Sequence, residues 1–547
     1  MSKENPQLLD ETDFDAIVLG TGLIESIVAG SLARAGKKVL HVDSNDHYGS
    51  NWSVFGFKEM LRWKQRIEQE SEISYQENYK NNYRKVAFNV HEQPSTGSIP
   101  VELDADTDES LESAVRNKIK SLLSVEPSAD KVLIEETINQ EVKDIVSKHQ
   151  DTTTIDLQPS VSRLNFLLSA MRASRAYNLD LTPKLLSCNG ELVEILIQSG
   201  VGRYLEFKGV DDIGIFDNEQ GRLDRVPSSK QDVFTNKGIP LIDKRKLMRF
   251  LTFAIDFDTN PEVLQGYNTH IIFFLAATKV GLERTQAFVR SMGRFNKGAF
   301  LCTLYGGGSE IAQAFCRVCA VYGGVYILSQ QLTRFLIDEN TGECKGIETK
   351  DGQKFNATWV VAGIDYLDER WIPSSNDYEK WISRSIVVTD KPLVSFGETD
   401  DMLCYSVLPP GSSAGNKDQP IFVLHQNHET MACPRNEYVT YLWKESSEGD
   451  RDELHKAIDL LLPEGNFRAD ISTHGHVKFS LLYEQRCRQV SLADSWQLPK
   501  NVIPCSDPTG STSFEQAVVE ATKIFYQCVP KDTPFMPPQP EDPEEDY

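Results

Sequence analysis

Asp15-Ala-Ile-Val-Leu-Gly-Thr-Gly-Leu-Ile-Glu25, followed by Lys38-Val-Leu-His-Val-Asp43, decides the fold of this chain. Ala16–Leu19 is a short, unbroken apolar run of the kind buried on both faces in a parallel sheet. It runs straight into Gly20-Thr-Gly22, a helical stretch follows and stops at Gly36, and a second strand closes on an acid 23 positions after Gly20. Strand, glycine turn, helix, strand and acid in that order are the βαβ unit of a dinucleotide fold. The fold class follows: α/β and flavoprotein-like, a Rossmann-type dinucleotide fold with β-rich insertions, joined to a smaller all-helical domain.

The same stretch argues against a bound cofactor. A third glycine normally permits close helix–strand packing beside the pyrophosphate. Here that place holds Glu25, whose negative charge suits a helix N-terminus and repels phosphate. The motif Gly20, Gly22, Glu25, Asp43 is therefore degenerate. A flavoprotein also often carries Gly-Gly shortly after the acid, where this chain has His47-Tyr-Gly-Ser50. No cofactor and no metal are expected, and FAD binding, as in a flavin-dependent oxidoreductase, is the rival reading.

Composition narrows the rest. With 547 residues, 40% of them hydrophobic, the chain can bury more than one core. Its longest apolar runs, such as Ile271–Ala277, fall far short of a membrane helix, and Met1–Asp13 lacks a signal-peptide pattern. A soluble, cytoplasmic protein is expected. A net charge of −23 excludes nucleic acid as a partner. Cys316 and Cys319 form a CxxC with no second pair, and core packing on one helix face is the plainer reading.

Along the chain, residues 1–228 and 301–529 read as the FAD-like domain. Within it, 60–155 reads as an acidic, partly disordered insertion with short helical candidates at Glu109–Leu123 and Ala129–Ser147; the stretch 92–151 carries 14 Asp/Glu against 6 Lys/Arg. Residues 229–300 read as helical, with Leu247, Phe250, Leu251, Ala254 and Phe257 on one stripe. Asn340-Thr-Gly342 and Asp351-Gly352 mark hairpin turns. The tail 530–547, with six prolines and six acids, reads as disordered.

Three segments make the pattern specific. Asp15–Glu25 with Lys38–Gly49 is the first. Tyr177-Asn-Leu-Asp-Leu-Thr-Pro-Lys184, with Asn189-Gly190 and Arg203–Lys208, is the second. Leu304-Tyr-Gly-Gly-Gly-Ser-Glu-Ile-Ala-Gln-Ala-Phe-Cys-Arg317 with Tyr322-Gly-Gly324 is the third. With Arg225-Val-Pro-Ser-Ser229 they resemble, in order and spacing, the family of Rab GDP-dissociation inhibitors and Rab escort proteins. The lengthening at 60–155 and the segment 480–530 resemble the escort branch, component A of Rab geranylgeranyltransferase; an inhibitor that recycles prenylated Rabs is the alternative within the family. One extra residue in the Gly306–Ser309 turn and a shorter stretch around Gly266–Ile271 depart from the family pattern.

The resemblance implies a binding protein without catalytic residues of its own. It would hold GDP-bound Rab GTPases, both unprenylated and prenylated, and present them to the Rab geranylgeranyltransferase α/β heterodimer. It would shelter the geranylgeranyl lipid and touch membranes transiently to deliver the product. The implied Rab-binding residues are Tyr48, Glu310, Gln313, Arg317, Val325 and Ile327. Glu310, Gln313 and Arg317 are spaced i, i+3, i+7 and share a helix face. The implied lipid shelter is the helical domain, with Leu247, Phe250, Leu251, Phe257 and Phe274 as lining residues, each also readable as ordinary core. Gly411-Ser-Ser-Ala-Gly415 lacks the strand and helix of a nucleophile elbow, and His425, His428 and Glu429 lack further ligands.

Overall fold

The protein is described by a computed structural model covering residues 9–68, 82–91, 98–102, 111–123, 130–148, 154–227, 230–236, 239–257, 272–295, 298–372, 379–392, 403–447, 449–461, 477–490 and 496–538. The βαβ unit forms as read: β1 (Asp13–Leu19), α1 (Leu23–Arg34) and β2 (Val39–Val42). β1 lies between β2 and Lys354–Gly363, all parallel. Val325–Ile327 extends the sheet beyond β2, and Val502–Cys505 pairs beyond Lys354–Gly363. The hairpin signals are real: Gly342 and Gly352 adopt φ of 69° and 86° beside the antiparallel strands Leu332–Ile337 and Cys344–Thr349.

Every residue of α1 is buried. It packs against helix Gly308–Val321 on one side and helix Glu515–Cys528 on the other. Contact with the first is close enough that a Cβ on Gly30 would meet the Phe315 carbonyl at 3.1 Å. A second sheet of eight strands, largely antiparallel, runs from Arg222–Arg225 through Glu379–Thr389 and Val477–Arg488 to Tyr83–Val90. Apolar side chains of this sheet, among them Phe479, Tyr441 and Trp443, build the largest core.

One expectation about order changes, at the tail. The described parts of 60–155 contain both expected helices and are built into the body. Trp63 and Tyr83 are buried in the main core, and Tyr83–Val90 is a strand of the large sheet. Helices Leu111–Leu122 and Lys131–Lys148 present Val115, Ile119, Ile138 and Val142 to the same core. Acidic residues of these helices form ion pairs, such as Arg163–Glu141 and Arg116–Glu112. The tail is corrected over 530–538. Met536 is buried against α1, and the Phe535 ring lies 5.2 Å from Phe525. Residues 539–547 lie outside the described residues. Between Arg225 and Phe300 the described elements are all helical: Lys230–Thr235, Leu241–Asp256 and Ile272–Ser291.

Candidate functional site

The turn between β1 and α1 is built as a phosphate cradle and then filled from inside. Gly20 takes φ of +101°, a conformation that favours glycine. The Glu25 side chain folds back so that its carboxyl lies over Gly22, and a Cβ on Gly363 would come within 2.8 Å of it. Burial, foremost, pushes the Glu25 pKa up to about 8, with Glu520, Asp43 and Asp365 adding to it. This corrects the reading of Glu25 as a fixed negative charge. At neutral pH the group holds its proton, so the blockade is steric rather than repulsive.

Asp43, the acid that grips a ribose in dinucleotide proteins, is spent on the protein. One oxygen accepts from the Thr21 amide at 2.7 Å, the Thr21 hydroxyl at 2.5 Å and the Ser50 hydroxyl at 3.0 Å. The other accepts from the Asn45 amide at 2.8 Å, the Asn45 side chain at 2.9 Å and the Tyr366 hydroxyl at 2.9 Å. Six donors exceed the lone pairs of one carboxylate. The space left among Gly22, Glu25, Asn51, Gly363, Asp365 and Asp507 is about 20 Å³, enough for a single water. The residues present do not fit FAD.

Deeper in the same crevice lies a polar network that sequence reasoning missed. Buried Arg488 donates to Asp507 at 2.6 Å, Asp365 at 2.5 Å and Asn82 at 2.9 Å. Asn82 donates to Asn51 at 3.0 Å and Asp365 at 2.6 Å, and Asn51 donates to Asp507 at 3.0 Å. The pair of carboxylates holds the Arg488 guanidinium firmly charged despite its burial. No local spacing joins positions 51, 82, 365, 488 and 507, so no sequence pattern announces them.

On the outside of the same sheet edge the polar groups face solvent. Helix Gly308–Val321 turns Ile311, Ala312, Phe315, Val318 and Cys319 inward. Gln313 and Arg317 are exposed and Glu310 half-buried, its pKa raised by burial. The Arg317 guanidinium lies over the Tyr204 ring at 4.2 Å. Tyr48 is half-buried. Its ring sits 6.2 Å from Tyr326, and its backbone carbonyl accepts from the Ser309 hydroxyl at 3.2 Å. The close approach of loop and helix depends on glycine: a Cβ on Gly308 would strike the Trp52 ring at 2.7 Å. In the edge strand Val325–Ile327, Val325 and Ile327 are half-buried and pack on the core beneath the sheet. Tyr326 points the other way, 40% exposed, beside Tyr48. Sequence reasoning missed Tyr326, although alternation along a strand marks it. Tyr48 thus lies beside Tyr326 and Ser309, next to the start of the helix that carries Glu310, Gln313 and Arg317.

The residues named for lipid shelter divide differently. Phe257 is buried with Ala254 and Leu282 in a small core between the two long helices. Leu247 and Leu251 are half-buried, while Phe250 is 46% exposed, off the buried stripe. The Phe274 side chain lies outside the described residues. Elsewhere, His425 is buried and stacked on Tyr438, and Glu429 pairs with Lys208. Ser413, at the centre of Gly411–Gly415, hydrogen-bonds the Asn218 side-chain oxygen in a loop.

Comparison with known proteins agrees with this architecture. A family model described as GDP dissociation inhibitor matches residues 9–85, 150–272 and 273–475. The mouse protein named Rab proteins geranylgeranyltransferase component A 2 (Mus musculus) is 30% identical, the match covering 97% of this chain and 97% of that protein. Its human counterpart (Homo sapiens) is 28% identical over 97% of this chain and 92% of its own length. The crystal structure of a Rab GDI from Plasmodium falciparum shares the fold with a TM-score of 0.61 at 17% identity, covering 94% of this chain and 98% of that one. A glycine turn plugged by its own helix, an exposed helix face beside it and a family match over most of the length lead to one conclusion: the chain belongs to the GDP dissociation inhibitor family.

Proposed function

We propose that this chain is a non-catalytic escort for Rab GTPases. It binds the GDP-bound client through Tyr48, Tyr326, Glu310, Gln313 and Arg317, with Val325 and Ile327 on the open sheet edge beside them. It presents the client's C-terminal cysteines to the α/β heterodimer of Rab geranylgeranyltransferase, then shields the prenylated product in the cytosol and releases it at a membrane. The observation that carries this reading is the contrast within one sheet edge. The cofactor crevice is filled by the chain's own side chains, while the adjoining helix leaves an arginine, a glutamine and a glutamate on one face. The names of the mouse and human relatives support the escort role over most of the chain. No helix among the described residues is long and apolar enough to cross a membrane, which suits a carrier that meets membranes only transiently.

Purified protein is expected to bind unprenylated Rab·GDP and to accelerate its prenylation by the catalytic heterodimer. Equal prenylation rates with and without the chain would sink the reading. A recycling inhibitor is the second reading, since a Rab GDP-dissociation inhibitor from Saccharomyces cerevisiae also matches, at 24% identity over 83% of this chain. Binding confined to prenylated Rab would favour it.

A further inference from the structure

Asp180 lies in the segment Tyr177–Lys184, which the client-facing surface described above does not use. Its side chain is buried, and its carboxylate sits between two backbone amides. One oxygen accepts from the Thr182 amide at 2.7 Å, the other from the Gly307 amide at 3.1 Å. The two bonds lead to different halves of the surface. Thr182 passes its hydroxyl to the Asn51 carbonyl at 2.9 Å. Val54 pairs with Asp180 in a two-stranded sheet, and the Leu181 amide donates to the Ser53 carbonyl at 3.1 Å. Residues 51–54 run on from Tyr48, so this side of Asp180 carries the tyrosine loop. Gly307 belongs to the turn that opens helix Gly308–Val321, the helix of Glu310, Gln313 and Arg317.

The turn is seated closely on the same residues. Gly306 takes φ of +123°, which favours glycine. A Cβ there would meet the Val54 side chain at 2.6 Å, and one on Gly307 would run into the Asp180 carboxylate. Both amide bonds need an ionised acid. Asparagine offers one oxygen and turns an amino group to the other amide, and a protonated carboxyl turns its O–H the same way. Thr182 and Gly307 are both buried, so an amide that loses its acceptor there has no ready substitute.

Building on the Rab-binding reading above, we propose that Asp180 is a positioning residue of the client-facing surface: its ionised carboxylate ties the Tyr48 loop to the Gly306–Gly308 turn and so sets the tyrosines relative to Arg317. A pH dependence follows. Burial, foremost, pushes the Asp180 pKa up to about 6, against the Thr182 amide, Arg384, the Gly307 amide and Lys184, which pull it down. Tyr441, Tyr483 and Cys302 also face it, and burial raises the pKa of all three, so they stay neutral. Lys184, lowered by burial to about 7, gains charge as pH falls and opposes the protonation. Client affinity should therefore drop as pH falls through about 6.

The test uses the full chain, its Asp180→Asn and Gly307→Ala variants and the double variant. Affinity for unprenylated Rab·GDP is titrated from about pH 7.5 to about pH 5, and amide exchange in the free chains is followed by mass spectrometry. The native chain should lose about tenfold in affinity over that range. Asp180→Asn should bind about tenfold more weakly at the upper end and change little below it. Gly307→Ala, which pushes the turn off the carboxylate from the other side, should do the same. The double variant should be no weaker than either single one, since all three remove one contact. Peptides spanning 304–309 should exchange faster in Asp180→Asn than in the native chain. Stability supplies a control of opposite sign. The raised carboxyl pKa means that protonation favours the folded chain, so the native chain should gain stability over Asp180→Asn as pH falls below about 6, while the affinity difference closes. A general loss of structure would move both together and overturn the assignment. So would matching pH profiles for the native chain and Asp180→Asn, or additive losses in the double variant. Should Asp180→Asn fail to fold, Gly307→Ala decides: weak binding with a flat profile supports the assignment, and native-like binding removes it. A native chain that binds no Rab, with 304–309 still loosened in Asp180→Asn, would end the escort reading and leave the joint standing. Rab binding that neither variant alters would leave the escort reading and end the joint.

Discussion

The inner and outer sides of one sheet edge have been put to opposite uses. Inside, around Gly20, Asp43 and Arg488, polar groups face one another: Asp43 accepts from six protein donors, and Arg488 bridges Asp507 and Asp365. Outside, a few residues away along the same loops, Gln313 and Arg317 face solvent and Tyr48 and Tyr326 stand as a pair. A polar group satisfied in the interior supports folding and has nothing left for a ligand. One left on the surface adds little to folding and is available for a partner. On the function proposed above, the cofactor crevice serves stability and the neighbouring face serves recognition. Mutations in the first should move stability and leave client affinity alone; mutations in the second should do the reverse.

The largest effect expected is that of Arg488→Ala. It leaves Asp507 and Asp365 buried without their cation, and breaking a buried pair from one side costs about 3–5 kcal/mol. Urea unfolding should show that loss, while the folded fraction binds Rab as before. A variant of native stability would mean that the network is not coupled to folding. Glu25→Gln comes next, and its effect depends on pH. The folded pKa, about 8, lies above the ordinary carboxyl value of 4.5. Below pH 4.5 both states hold the proton and nothing is lost. Between pH 4.5 and 8 the unfolded chain releases it while the folded chain retains it, so stability falls as pH rises and levels off above 8. Glutamine removes that slope, and the variant should exceed the native chain by about 2–4 kcal/mol at pH 8 and by little near pH 5. Parallel stability–pH curves for the two proteins would show that Glu25 ionises freely and would restore an electrostatic reading of the blockade.

This division was half legible in the sequence. The βαβ unit could be read because its elements are local: Ala16–Leu19, Gly20–Gly22 and Asp43 follow one another within a single supersecondary motif. The helix face Glu310, Gln313, Arg317 could be read for the same reason, three residues on one period. The Arg488 network could not, because its members converge from strands and loops hundreds of positions apart. In 60–155 the two helices were legible in the sequence, while their place in the body was not: they bury Val115, Ile119, Ile138 and Val142 in the main core, and no local pattern names the partners they pack on. In the strand Val325-Tyr-Ile327 the resemblance pointed to Val325 and Ile327, whereas alternation turns those toward the core and the tyrosine outward.

The smaller predictions concern the recognition side. Arg317→Ala removes a charged donor and should weaken Rab·GDP binding by about 1–3 kcal/mol while unfolding within about 0.5 kcal/mol of the native chain. Unchanged affinity in a titration would take Arg317 out of the interface. The finest test lies within three consecutive residues. Tyr326→Ala strips an exposed ring from beside Tyr48 and should cost about 1 kcal/mol of affinity, since aromatic rings are favoured anchors at interfaces. Val325→Ala and Ile327→Ala remove methyl groups that pack on the sheet core, so they should cost about 1 kcal/mol of stability instead and less affinity than Tyr326→Ala. If the two sets of variants change places, with affinity following Val325 and Ile327 and stability following Tyr326, then the client docks over the open edge of the sheet. In that case the line between the stabilising and recognising sides runs through this strand rather than beside it.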